Sequence, residues 1–201
     1  MPGHFEPTPG GGAAVTLDEV EISIIRSLAV QLLELVGPGP GGDAPADPLA
    51  ELFADGPTEP PADPVLRRLF PDAYGGPGEA PTKPEEAAEL TERSSEFRRF
   101  TENDLRARKR EDALAVIRAL DGLTTDSNGG AVLRLAADDS RRWLGSLNDL
   151  RLAIAARLEI SDEDDADLLY RLSDEDPRKP MVMAYLWLGG LQETLVTTLM
   201  P

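Results

Sequence analysis

The sequence predicts an all-α fold: a single-domain helical bundle of about five main helices with long Pro/Gly-rich loops. Three observations predict it. Apolar residues recur every three or four positions over several stretches, which is the period of one helix face. Glycine and proline crowd into residues 37–84, which hold 8 of the 18 glycines and 12 of the 18 prolines. Such a stretch buries too little apolar surface to offset the entropy of ordering it. Finally, two strongly apolar runs, residues 143–152 and 185–195, carry both tryptophans and read as helices. With 201 residues the chain makes one sizeable core. The expected organisation is a disordered leader over 1–14 and one helical domain over 15–201, with an irregular insertion at 37–84.

The first helix starts at Thr16-Leu17-Asp18-Glu19, which has the spacing of a capping box. Leu17, Val20, Ile24, Leu28, Leu32 and Leu35 mark its apolar face, and Gly37-Pro38 ends it. Two short islands follow, over 47–53 and 63–70. Each has an Asp cap and proline at the first helical position, Asp47-Pro48 and Asp63-Pro64. A long helix is expected from Pro84 to Leu120, bent near Thr101, with Leu90, Phe97, Phe100, Leu105, Leu114, Ile117 and Leu120 on its apolar side. Residues 131–135 form an extended stretch, either a lone strand or a connector. The next helix, from Asp138 to Glu159, turns Leu147, Leu150, Ile154 and Leu158 to the core. Ser161 then caps a shorter helix to Leu172. In the last helix Val182, Tyr185, Leu186, Leu195, Val196 and Leu199 are expected to face inward.

Composition excludes several function classes. With 20 Lys and Arg against 37 Asp and Glu the net charge is −17, which argues against a general nucleic-acid coat and against an anionic membrane surface. Cysteine is absent, which excludes disulfides, thiolate metal sites and thiol redox switches. The single histidine, His4, reads as a solvated leader residue. No basic signal-peptide start is visible. The apolar run from Met181 to Met200 is long enough to span a membrane. It carries Glu193 near its middle, however, at about 2.5–3.5 kcal/mol for a mid-bilayer carboxylate. A buried helix in a cytoplasmic protein is the expectation.

Three clusters are candidates for function. Residues 93–110 carry seven basic groups against three acidic ones, +4 in an acidic chain. Arg98, Arg99, Arg106, Arg108, Lys109 and Arg110 are the candidate partner-binding residues there. The alternative is a solvated helix face laced with i,i+4 pairs such as Glu102 with Arg106. Residues 159–176 hold nine carboxylates, but without the glycine and twelfth-position Glu of a calcium loop. Helix-start electrostatics explains them better. The third cluster is Trp143, Asn148, Asp149, Arg151, Gln192 and Glu193. It reads as a hydrogen-bonded helix crossing, with Arg151 pairing Glu193, or as a pocket or partner site. No nucleophile, metal set or phosphate loop accompanies these groups, so neither enzyme nor cofactor is expected. Gly189-Gly190 implies close approach by another element, with Arg134 or Trp143 as the groups covering the gap.

Trp143-Leu144-x-x-Leu147-Asn148-Asp149-Leu150-Arg151-Leu152, followed by Tyr185-x-Trp187-Leu188-x-x-Leu191-Gln192-Glu193-x-Leu195, resembles an actinobacterial family known as a domain of unknown function. That family is typically encoded beside the ClpS protease adaptor and includes AosR-type oxidative-stress transcriptional regulators. Phe97-Arg98-Arg99-Phe100-Thr101-Glu102 also fits its pattern. The resemblance implies a non-enzymatic regulator that contacts a protein partner, RNA polymerase or a sigma factor. A homodimer is compatible with the same reading. The alternative it implies is an accessory factor in Clp-dependent proteolysis, with a small-ligand-binding protein behind both. The regulators of this type respond through thiols, and a chain without cysteine needs another input.

Overall fold

The computed structural model describes residues 3–37, 55–75, 83–126, 129–161, 165 and 169–200. Within them lie three strands and five helices: β1 (Glu6–Thr8), β2 (Gly12–Asp18), α1 (Glu19–Val36), α2 (Pro64–Leu69), α3 (Pro84–Asp121), β3 (Gly130–Leu135), α4 (Ala137–Arg157) and α5 (Lys179–Leu199). The fold is mostly helical, but the all-α expectation is corrected by a small antiparallel sheet of order β1-β2-β3.

β1 and the first residues of β2 lie in the stretch 1–14 that was expected to be a disordered leader. Gly10 and Gly11 have φ of 100° and 83°, a region that L side chains avoid, and they turn the chain between β1 and β2. The glycine run is therefore a hairpin loop. Val15 pairs with Leu133, and Ala13 with Leu135. Along both strands alternate residues are buried, Ala13, Val15 and Leu17 facing inward with Ala131, Leu133 and Leu135. Each strand is too short for its alternation to stand out without its partner.

Strand pairing also moves the start of α1. Thr16 and Leu17 are held in the ladder, so the cap falls on Asp18. Its carboxylate accepts from the Glu21 N–H at 2.8 Å, and Glu21 reciprocates at 3.0 Å. The buried stripe becomes Ile25, Ala29, Leu32 and Val36, while Val20 is 66% exposed and Ile24 also faces solvent. Gly37, at φ 61°, ends the helix where expected. Asp63 caps α2 as its sequence predicts, accepting from Val65 and Leu66 N–H groups at 2.8 and 3.0 Å. The island at 47–53 lies outside the described residues, as does most of the helix placed at 162–172.

α4 is the central element. It packs against α1, α2, α3, α5 and the sheet. Leu147, Leu150, Ile154 and Leu158 are buried as predicted, together with Trp143, whose ring meets Phe5 edge-on at 6.2 Å. In α5 the buried residues are Val182, Leu188, Leu191 and Leu195, and Leu186 is exposed rather than inward. No helix among the described residues is long and apolar enough to cross a membrane.

The largest departure is in α3, which runs unbroken through Thr101 for 38 residues. Its buried face is Ser94, Arg98, Glu102, Arg106, Ala113, Val116 and Leu120. Phe97, Phe100 and Leu105, expected on the apolar side, are exposed. Over its first half the helix is turned with charge inward and aromatic rings outward.

Candidate functional site

The inward charge of α3 has a structural cause at the ends of its neighbours. A helix C-terminus leaves carbonyl oxygens without intrahelical donors and carries partial negative charge. α1 has no basic residue in its last turn. α3 supplies donors there: Arg106 Nη1 reaches the Val36 carbonyl at 2.6 Å, and Arg110 Nη1 reaches the Leu33 carbonyl, which also accepts from Gly37 N–H, at 3.3 Å. At the end of α2, Arg98 Nη2 donates to the Phe70 carbonyl at 3.1 Å and to Asp72 Oδ1 at 2.8 Å. Glu102, 2% exposed, lies between the two guanidiniums. It pairs with Arg98 Nη1 on one side, and accepts from Arg106 Nε and Nη2 at 2.9 and 2.7 Å on the other. Arg106 also stacks over the Phe70 ring at 4.5 Å. The carboxylates Asp72 and Glu102 outweigh burial at Arg98 and hold it firmly protonated.

A second ion pair joins α3 to α4. Lys109 Nζ meets Asp149 Oδ1 at 2.6 Å. Burial pushes the Asp149 carboxyl above its ordinary value even though Lys109 opposes the shift. Nearby Asp112 is raised as well, mainly by burial and further by the charge of Asp149, against Arg108 and Arg142.

These contacts take four of the six candidate partner-binding residues away from a free surface. Arg98 and Arg106 are buried, and Lys109 and Arg110 point to internal acceptors. Arg99 and Arg108 remain exposed. With Arg93 they are the exposed basic groups of residues 93–110, against exposed Glu96 and Asp104, three to two. The wholly solvated alternative fails, because the i,i+4 ladder through Glu102 is internal.

The outer face of α3 was missed because its aromatic residues read as core. Phe100 is 60% exposed and Phe97 45%. Arg99 lies over the Phe100 ring at 4.6 Å, and Arg93 over Tyr74 at 4.5 Å. Tyr74 meets Phe97 edge-on at 6.2 Å. Leu105 is exposed as well, on a different side of the helix from Phe100. The available sequence signal was the offset between Phe97-Phe100 and Arg98-Glu102-Arg106, which places them on different sides of one helix.

The polar cluster at the α4–α5 crossing is divided. Asp149 turns to Lys109, and Trp143 is buried with no hydrogen-bond partner for Nε1 among the described residues. On the other side Arg151 Nη1 donates to Gln192 Oε1 at 2.7 Å, and its guanidinium lies 5.0 Å from the Tyr185 ring centre. Gln192 reaches Asn148 Oδ1 at 3.4 Å. Asn148 and Glu193 are exposed, and the expected Arg151–Glu193 pair is replaced by Arg151–Gln192. Arg151, rather than Arg134 or Trp143, covers Gly189, where a Cβ would lie 3.4 Å from Nε. Arg151→Ala therefore strands no carboxylate. Its expected loss is about 1–2 kcal/mol by urea denaturation, from a charged hydrogen bond and lost packing. A loss above about 3 kcal/mol would require a buried ionic partner after all.

Among the described residues no group of three or more His, Asp or Glu is placed to hold a metal ion. Residues 2–199 match the family described as Domain of unknown function (DUF2017). The oxidative stress regulator AosR of Mycobacterium tuberculosis (strain ATCC 25618 / H37Rv) is 32% identical over 183 residues, covering 90% of this chain and 78% of the relative. The protein of the same name in Mycobacterium bovis gives the same figures. A putative oxidative stress regulator AosR from Mycobacterium leprae is 29% identical over 182 residues, covering 90% and 79%. No solved structure matches the chain. With a family match over nearly its whole length and these relatives, the chain belongs to the DUF2017 family.

Proposed function

We propose that this chain is a non-enzymatic, cytoplasmic regulator of an oxidative stress response, acting by protein contact through the outer face of α3. The observation that carries the reading is the exposure of Phe97 and Phe100 on a helix whose opposite face is locked in place by buried ion pairs. Exposed aromatic rings with stacked arginines supply large apolar area at low entropic cost, the composition enriched where protein interfaces concentrate binding energy. The near-neutral charge of this face removes the electrostatic term that DNA binding depends on. The names of the relatives support the regulatory role. The partner we favour is the transcription machinery, RNA polymerase or a sigma factor. The input is not a thiol of this sequence, which has no cysteine.

Capture of the tagged chain from lysate of its own host, read by mass spectrometry, tests this. Wild-type protein is expected to enrich RNA polymerase or a sigma factor. Phe97→Ser with Phe100→Ser is expected to lower that capture at least about tenfold, the equivalent of about 1.4 kcal/mol. Thermal stability should fall only slightly, since Phe100 is mostly exposed and Phe97 gives up one edge-on contact with Tyr74. Full capture by the double variant would remove α3 as the contact surface. Enrichment of Clp subunits in place of polymerase would replace the transcription reading with the proteolysis one.

A further inference from the structure

α3 and α4 leave a charged cleft between them, and it holds groups that the fold does not use. Arg108 of α3 and Arg142 of α4 both line it, and its volume is about 500 Å³, within the range of small-molecule sites. Asp112 lines the same cleft, half-buried and within electrostatic reach of both guanidiniums. Neither is bonded to it. Among the described residues Asp112 accepts no hydrogen bond and forms no ion pair, and Arg108 and Arg142 donate none. By contrast, the buried carboxylates Glu102 and Asp149 are each bonded to a cation of α3. A half-buried carboxylate without a donor has given up hydration and gained nothing in return. Burial accordingly raises the pKa of Asp112 against the pull of Arg108 and Arg142. The backbone of α4 makes room for the group: a Cβ added at Gly145 would lie 2.9 Å from Asp112 Oδ2.

We propose that the cleft between α3 and α4 binds a small zwitterion of the amino-acid class, its ammonium on Asp112 and its carboxylate on Arg108 and Arg142. The lining selects the class. With Arg141 the cleft has three cations, and Asp104 and Glu111 bring its carboxylates to three as well. A plain anion or a plain cation therefore gains no net attraction there. Of the lining residues only Ala107 is apolar, so a hydrophobic group finds nothing to cover it. A molecule carrying both charges meets a partner for each. A guanidinium binds a carboxylate through a fork of two hydrogen bonds, and Arg108 and Arg142 have theirs free, whereas Arg141 is held by Asp138 at 2.6 Å. A ligand that grips both helices supplies an input that needs no thiol. Its binding is read directly and does not depend on the partner reading of α3.

Titration of the full chain with each standard amino acid to about 10 mM, followed through backbone amide shifts, tests it. At least one is expected to bind within that range and to move the amides of Asp112, Arg142 and Gly145. Acetate and methylamine, with one charge each, are expected to bind at least about tenfold more weakly. Asp112→Asn is expected to weaken the amino acid by at least about tenfold. Gly145→Ala is expected to do the same while keeping every charge, because its methyl displaces the Asp112 carboxylate. The displaced atom ends a flexible side chain and alanine favours a helix, so the melting temperature of Gly145→Ala is expected not to fall. Weakened binding in a variant of undiminished stability cannot come from misfolding. A chain that binds none of the amino acids overturns the proposal. Acetate binding as tightly as the amino acid overturns it by making the cleft an anion site, and unchanged affinity in both variants overturns it by placing the ligand elsewhere.

Discussion

Glu102→Ala is expected to remove about 3–5 kcal/mol of folding stability, the cost of stranding buried charges after one partner is deleted. Glu102 is almost fully buried between Arg98 and Arg106. Each arginine is fixed by carbonyl acceptors on other elements, so neither can follow the lost carboxylate into solvent without releasing the end of α1 or α2. Equilibrium urea denaturation measures the loss. A second variant separates stranded charge from lost packing: Arg98→Met, Glu102→Leu and Arg106→Met together. The apolar triple variant is expected to lose less than Glu102→Ala alone, because it leaves no unpaired charge. A single-variant loss below about 1 kcal/mol would mean that water reaches the ladder.

Lys109→Ala is expected to cost about 3 kcal/mol at neutral pH and less in acid. Asp149, buried beside it, already has a raised pKa, and deleting Lys109 removes the ammonium that opposes the shift. A carboxyl raised in the fold binds its proton more readily there than in the unfolded chain. Its contribution to stability is therefore present at low pH and lost as pH rises through the folded-state value. Asp112 acts in the same direction. Asp176, held down to about 2 by Arg178, and Asp121, held down by Arg26, act oppositely and lose their contribution in strong acid. Wild-type stability is thus expected to fall as pH rises through the folded-state values of Asp149 and Asp112, and to fall again in strong acid as Asp176 and Asp121 are protonated. The deficit of Lys109→Ala should shrink as pH falls through the raised folded-state pKa of Asp149. A deficit independent of pH would show that the loss is packing rather than an unpaired carboxylate.

The two kinds of charge on α3 show how far sequence reading reaches. The spacing of Arg98, Glu102 and Arg106 gives their mutual contacts directly, because residues four apart meet on one helix face. Their depth does not follow from it, since the same spacing describes a solvated face equally well. The choice rests on acceptors distant in sequence, with Val36 seventy residues from Arg106 and Phe70 twenty-eight from Arg98. Aromatic rings normally take the inner side of a helix, and here the carbonyls at the ends of α1 and α2 reversed that order. Similarly, Arg151 and Gln192 are visible as polar groups in apolar runs, but which of Gln192 and Glu193 receives the guanidinium depends on the rotation of α5.

By itself, the sequence determined the features governed by neighbours within one turn: the Asp63-Pro64 helix start, the stop at Gly37, the buried stripe of α4 and the family motifs around both tryptophans. Each depends on hydrogen bonds or side-chain contacts that span about four residues. The tertiary structure decided the rest. The hairpin of β1 and β2 exists because β3, more than a hundred residues later in the chain, completes its ladder. That pairing moved the cap of α1 from Thr16 to Asp18, and distant carbonyls turned the charges of α3 inward and its aromatic rings outward. Strand pairing and helix rotation are settled by contacts between residues far apart in sequence, whose partners local periodicity does not reveal.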